Sequence, residues 1–158
     1  MSSPMLHDFR VVRRVEFSDT DMAGLMHFSN YFRFMETAEH AFYRELGFSV
    51  VLRDRRPALG FPRVHASCDF TKPLRFEDLV EIRLRVTAKK SKSLTYSFQF
   101  WNMSADPVVE AARGVVTIVC VSHSPDGKLA AVPIPDDIAG KIAVAPETIA
   151  ASKSLSSR

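Results

Sequence analysis

The chain has 158 residues, 46% hydrophobic and 25% charged, with a net charge of +3. These totals describe one globular domain long enough to bury a core. They exclude a chain that binds nucleic acid through bulk charge, a membrane span, and a disulfide framework built on its two cysteines, Cys68 and Cys120.

Phe9 to Phe17 alternates apolar and polar residues and predicts a short strand. A helix is expected from Asn30 to Leu46. Tyr31, Phe34, Met35, Ala38, Ala41, Phe42 and Leu46 recur at helical spacing, Ser29 or Asn30 can cap the start, and Gly47 can close the end. Phe32 and Tyr43 widen the apolar stripe, so the helix should be packed on more than one side. Phe48 to Pro62, with Arg53, Asp54, Arg55, Arg56 and Pro57 at its middle, reads as a surface loop. Arg63 to Phe70 is a second strand.

Asp78 to Thr87 alternates most clearly, with Val80, Ile82, Leu84 and Val86 on the dry face. A turn through Lys89, Lys90 and Lys92 leads into the strand Leu94 to Trp101. Val108 to Val121 is the last long strand, and apolar residues on both parities beyond Gly114 predict burial on both of its faces. Asp126 and Gly127 mark a turn, and Val132 to Pro135 a short closing segment. Residues 1–144 form the domain, and residues 145–158 a flexible tail. One helix among hairpin-linked strands is an α+β layout with an antiparallel sheet of about five strands.

Chemistry concentrates before the helix. Asp19 and Asp21 flank Thr20 in a turn that runs to Gly24, and the free amides of a helix start lie just beyond. Amides that hold a developing oxyanion, beside a carboxylate that attacks or activates water, are the two halves of an acyl-transfer site. On composition alone such a run is more often a turn or a cap. His27 can contact substrate or merely pack, and Asn30 can cap the helix or order the turn. His65 and Cys68 lie three apart on a strand, Asp19 and Asp21 lack a calcium-loop pattern, and no metal site is expected. No G-x-S-x-G nucleophile elbow is present.

The run Asp19-Thr20-Asp21-Met22-Ala23-Gly24, followed by Asn30-Tyr31 and Glu36-Thr37-Ala38, resembles the signature of hotdog-fold acyl-CoA thioesterases of the 4-hydroxybenzoyl-CoA thioesterase and YbgC-like branch. The stretch Phe70 to Asp78, with Pro73, extends the resemblance, which covers about Phe9 to Pro135. It implies a curved sheet wrapped around one long helix, and hydrolysis of acyl-CoA to free acid and CoA. It maps the catalytic carboxylate onto Asp21 and the oxyanion amide onto Phe28. His27 and Asn30 would adjoin the substrate, and Lys89, Lys90 and Lys92 would suit the phosphates of coenzyme A. No cofactor is implied, because coenzyme A belongs to the substrate; an acyl carrier protein is a second donor class. A homodimer or homotetramer is expected, with a cytoplasmic setting from the absence of a signal-length apolar run and of paired cysteines. Two other readings stay open. One is a non-catalytic acyl-thioester-binding module; the other is a hotdog dehydratase or hydratase, whose H-x-x-x-x-P-x-x-P-G pattern is missing here.

Overall fold

The structure is a computed structural model that describes residues 3–147. In chain order the elements are β1 (Asp8–Arg14), a 3-10 turn (Phe17–Asp19), α1 (Phe28–Glu45), β2 (Ala58–Gly60), β3 (Arg63–Phe70), β4 (Leu79–Lys89), β5 (Ser93–Asn102), β6 (Val109–Val119), β7 (Val121–His123), β8 (Leu129–Ala131) and α2 (Asp136–Ala139). Five strands form one antiparallel sheet in the order β1-β4-β5-β6-β3. The three short strands form a second sheet, β2-β7-β8.

Alternation in the sequence becomes two faces of the main sheet. Val80, Ile82, Leu84 and Val86 of β4, with Leu94, Tyr96, Phe98 and Phe100 of β5, are all buried. Register places Ile82 opposite Phe100 and Leu84 opposite Phe98, so the large apolar side chains share one side. Helix α1 lies on that side, burying Tyr31, Phe34, Met35, Ala38, Phe42 and Tyr43. Gly114 of β6 lies directly against Met35 of the helix. A Cβ there would stand 2.4 Å from Met35 Cε and 3.2 Å from the Ser67 carbonyl oxygen. A glycine inside a strand marks such close approaches. Gly114→Ala should therefore lower stability by about 1–2 kcal/mol in urea unfolding, less if the end of Met35 swings aside.

Several expectations need correction. Helix α1 begins at Phe28 and is capped by His27, not by Ser29 or Asn30. Strand β1 ends at Arg14. Val15 keeps its backbone bonds to Glu77 and Asp78, and the chain then turns because the Glu16 and Asp19 side chains cap each other's amides. The loop after α1 contains β2, and the closing region contains β8 and α2; each is too short to show a period. Burial of β6 on both faces beyond Gly114 fails, since Val115 is exposed and Thr117 and Val119 are only half-buried. Phe98 and Phe100 are buried on the face that carries α1, and Trp101, on the opposite parity, is half-buried. Ala145 N–H donates to Val86 O at 2.8 Å and Arg85 donates to Pro146 O, which fastens the first residues of the expected tail. The remainder of that tail lies outside the described residues. Among the described residues, no helix is long and apolar enough to cross a membrane.

Candidate active site

The turn from Asp19 to His27 is a tight hairpin leading straight into α1. Gly24 N–H donates to Asp21 O at 2.9 Å and Asp21 N–H to Leu25 O at 3.0 Å, with Gly24 at φ +74°. That positive φ is why glycine stands there. Asp21 Oδ1 accepts from Ala23 N–H at 2.8 Å, holding the carboxylate on its own turn. The rest of the Asp21 side chain is exposed at the hairpin tip.

Asp19 has a different task. Its carboxylate accepts from Glu16 N–H, and its carbonyl accepts from His27 N–H and Asn30 Nδ2, both at 2.8 Å. Asn30 thus ties the first turn of α1 to the hairpin that carries Asp21. His27 Nδ1 accepts from Ser29 N–H at 3.3 Å and from the Ser29 hydroxyl at 2.8 Å. A ring nitrogen that accepts carries no proton, so neutral His27 has its proton on Nε2.

With His27 capping Ser29 N–H, and Asn30 N–H bonded to His27 O, one first-turn amide remains. Phe28 N–H makes no hydrogen bond among the described residues. It points out from a helix N-terminus, where the helix dipole favours developing negative charge. Phe28 is 62% exposed and forms one wall of a cleft of about 410 Å³, lined also by Leu25, Met26, Tyr31, Phe70, Thr71, Lys72 and Pro73. Periodicity assigns Tyr31 to the helix core and Phe70 to a strand end. That the two meet, ring centroids 4.8 Å apart, is a tertiary fact with no short-range signal. Asp21 stands next to this cleft along the hairpin, not in its wall.

The lysines lie elsewhere. Tyr31 packs on Phe100 near one end of β5, whereas Leu94 pairs with Lys89 at the other end, roughly 20 Å away along the strand. Lys89 Nζ donates to the carbonyls of Ala139 and Ile142 at 2.6 and 2.7 Å and closes the end of α2. Lys90 and Lys92 are exposed. In one chain, then, Asp21, His27, Phe28 and Asn30 come together, and the lysine turn does not join them. Of the loop arginines, Arg55 pairs with Asp137 and Arg56 donates to nearby carbonyls.

A second polar group lies deeper. Glu39 of α1 is 2% exposed and accepts from Arg63 at 2.8 Å, with Glu36 and His40 at the same edge of the sheet. Burial pushes the Glu39 carboxyl up to about 7, although Arg63 pulls it down.

A sheet curved around one helix, with a free first-turn amide beside a carboxylate turn, defines the hotdog class of acyl-thioester proteins. Residues 15–142 match the sequence profile of the Thioesterase-like superfamily, and the chain belongs to that family. A protein of Aquifex aeolicus (strain VF5) is 36% identical over 86 residues, 54% of this chain and 66% of that one, so the match spans just under two thirds of the relative. The 1,4-dihydroxy-2-naphthoyl-CoA hydrolase of Nostoc punctiforme is 30% identical over 133 residues, 82% of this chain and 83% of that one. Among solved structures, a gentisyl-coenzyme A thioesterase superposes with a TM-score of 0.69 at 35% identity, covering 82% of this chain and 98% of that one.

Proposed function

We propose that the chain is an acyl-CoA thioesterase that hydrolyses aromatic acyl thioesters to the free acid and CoA. The observation that carries the reading is the unbonded Phe28 N–H at the start of α1, opening onto a cleft walled by Phe28, Tyr31 and Phe70. A thioester carbonyl resting on that amide would be polarised where its oxyanion forms. Asp21, on the adjoining turn, supplies the nucleophile or the general base for water. Aromatic cleft walls suit an aroyl group, and the names of the relatives point to the same substrates. The test is thiol release from a panel of benzoyl, hydroxybenzoyl, acetyl, hexanoyl and palmitoyl thioesters of CoA. Turnover with the aroyl members leading supports the reading; no thiol from any member by the folded protein defeats it. Acyl-carrier-protein thioesters added to the same panel decide between the two donor classes.

The working unit is a homodimer paired through β3. That strand sits at a sheet edge, is eight residues long, and is exposed on nearly all of them, although α1 meets it at both ends through Glu39–Arg63 and Tyr31–Phe70. An open edge of that kind invites pairing. Antiparallel pairing of two β3 strands sets the Arg63 end of one beside the Phe70 end of the other. It brings the lysine turn of one subunit to the end of the sheet where the other carries Asp21. Lys90 and Lys92 would then be available to coenzyme A phosphates across the interface. Ala66→Lys, near the middle of β3, sets like charges against each other there. Size exclusion with light scattering should show a wild-type dimer and a variant shifted towards monomer; a monomeric wild type at micromolar concentration removes the shared site. The setting is the cytoplasm, in keeping with two free thiols, Cys68 and Cys120.

A further inference from the structure

One wall of the cleft is polar where packing asks for no polarity. Tyr31 is only 4% exposed, its ring edge-on to Phe70 and tilted against Phe100 at 5.4 Å. A phenylalanine would fill the same space without desolvating a hydroxyl. The two other buried tyrosines of the core settle theirs on each other, Tyr96 O–H donating to Tyr43 at 3.2 Å. The Tyr31 hydroxyl makes no hydrogen bond among the described residues, yet it is not among the polar atoms sealed without a partner. A hydroxyl neither bonded nor sealed meets solvent, and the opening Tyr31 has is the cleft it lines. Lys72, on the same cleft, has an ammonium with no hydrogen bond or ion pair among the described residues.

Resting on the thioesterase reading, we infer that Tyr31 is a specificity-determining residue. Its hydroxyl donates to an oxygen substituent on the acyl group, and the Lys72 ammonium at the mouth favours the same electron-rich oxygen. Phe28 and Tyr31 are three residues apart on the helix, about 4.5 Å in rise. An acyl group whose carbonyl rests on the Phe28 amide therefore runs along that turn towards the hydroxyl. Burial, and then the nearby Cys68, push Tyr31 up to about 12, so it keeps its proton and remains a donor. A plain acyl group leaves that donor unpaired in a closed site, which is the arrangement that rejects analogues most strongly.

The experiment compares kcat/KM for benzoyl-CoA with its 2-, 3- and 4-hydroxy forms, in wild type, Tyr31→Phe and Lys72→Met. Wild type should favour at least one hydroxybenzoyl isomer by about ten-fold or more. Tyr31→Phe should bring that ratio close to one, and Lys72→Met should reduce it by a smaller factor. A purely structural role would lower both rates together and leave the ratio alone. A preference that survives in Tyr31→Phe, or is absent from wild type, overturns the inference while the thioesterase reading stands on wild-type benzoyl-CoA turnover. Wild type that releases no thiol from any of the four defeats both.

Discussion

Asp21→Asn should lower kcat on the best thioester by about two to four orders of magnitude, the range set by a positioned acid–base group. The substitution is isosteric and keeps the one bond the side chain makes here. Asn Oδ1 can accept from Ala23 N–H as Asp Oδ1 does at 2.8 Å, so the Asx turn, the Gly24 turn and the path into α1 persist. What disappears is the charge. An amide neither attacks a thioester nor takes a proton from water at neutral pH, while the Phe28 amide is left as it was. The unfolding free energy in urea should change by no more than about 0.5 kcal/mol, as expected for an exposed position. Steady-state thiol release and urea unfolding on the same preparation check both halves. A variant within about threefold of wild type would make Asp21 a turn-former and move the chemistry to another group. Asp19 is the obvious neighbour, but its carboxylate already caps Glu16 N–H, so Asp19→Asn should act through the turn.

The sequence shows the class of the fold because each long element carries its own period. β4 and β5 alternate in step, and α1 repeats its apolar residues at helical spacing, so burial follows from composition at each position. The left-handed Gly47 at φ +86° likewise closes the helix where a glycine was needed. What stayed hidden depended on contacts between distant segments. The cap moved to His27 because imidazole Nδ1 can accept a backbone amide as an aspartate oxygen does, an ability that a list of short polar caps overlooks. β2, β7 and β8 have three residues each and exist through pairing with one another. Lys89 looked like a free hairpin cation until α2, itself four residues, presented its carbonyls. Within the site, the hairpin residues Asp21, His27, Phe28 and Asn30 were legible because a dozen residues of sequence contain them all. The cleft was not, because Phe70 and Lys72 reach Tyr31 from another part of the chain.

Stability should fall as pH rises through neutrality, and Glu39 should account for it. In the unfolded chain this carboxyl titrates near its ordinary 4.5; in the fold burial holds it up to about 7. The folded state therefore binds the extra proton. Its contribution is fully present below about 4.5 and is lost as pH rises through 7, a difference of about 3 kcal/mol between the limits. His40 acts with the opposite sign. Burial lowers its pKa below 6.5, so acid favours the unfolded chain and offsets part of the gain below that pH. The Arg63 guanidinium is partly exposed, so water can solvate it when Glu39 is neutral. The clean measurement is the difference between wild type and Glu39→Gln at one fixed protein concentration, so that any change in association stays out of the comparison. Glutamine keeps an acceptor for Arg63 and removes the titration. Urea unfolding at pH 5 and pH 8 should show wild type losing more stability than the variant on going to pH 8, by up to about 3 kcal/mol. Equal losses in the two proteins would mean that Arg63 holds Glu39 ionised across the whole range. The buried pair would then be a permanent salt bridge at the β3 edge, with no pH response of its own.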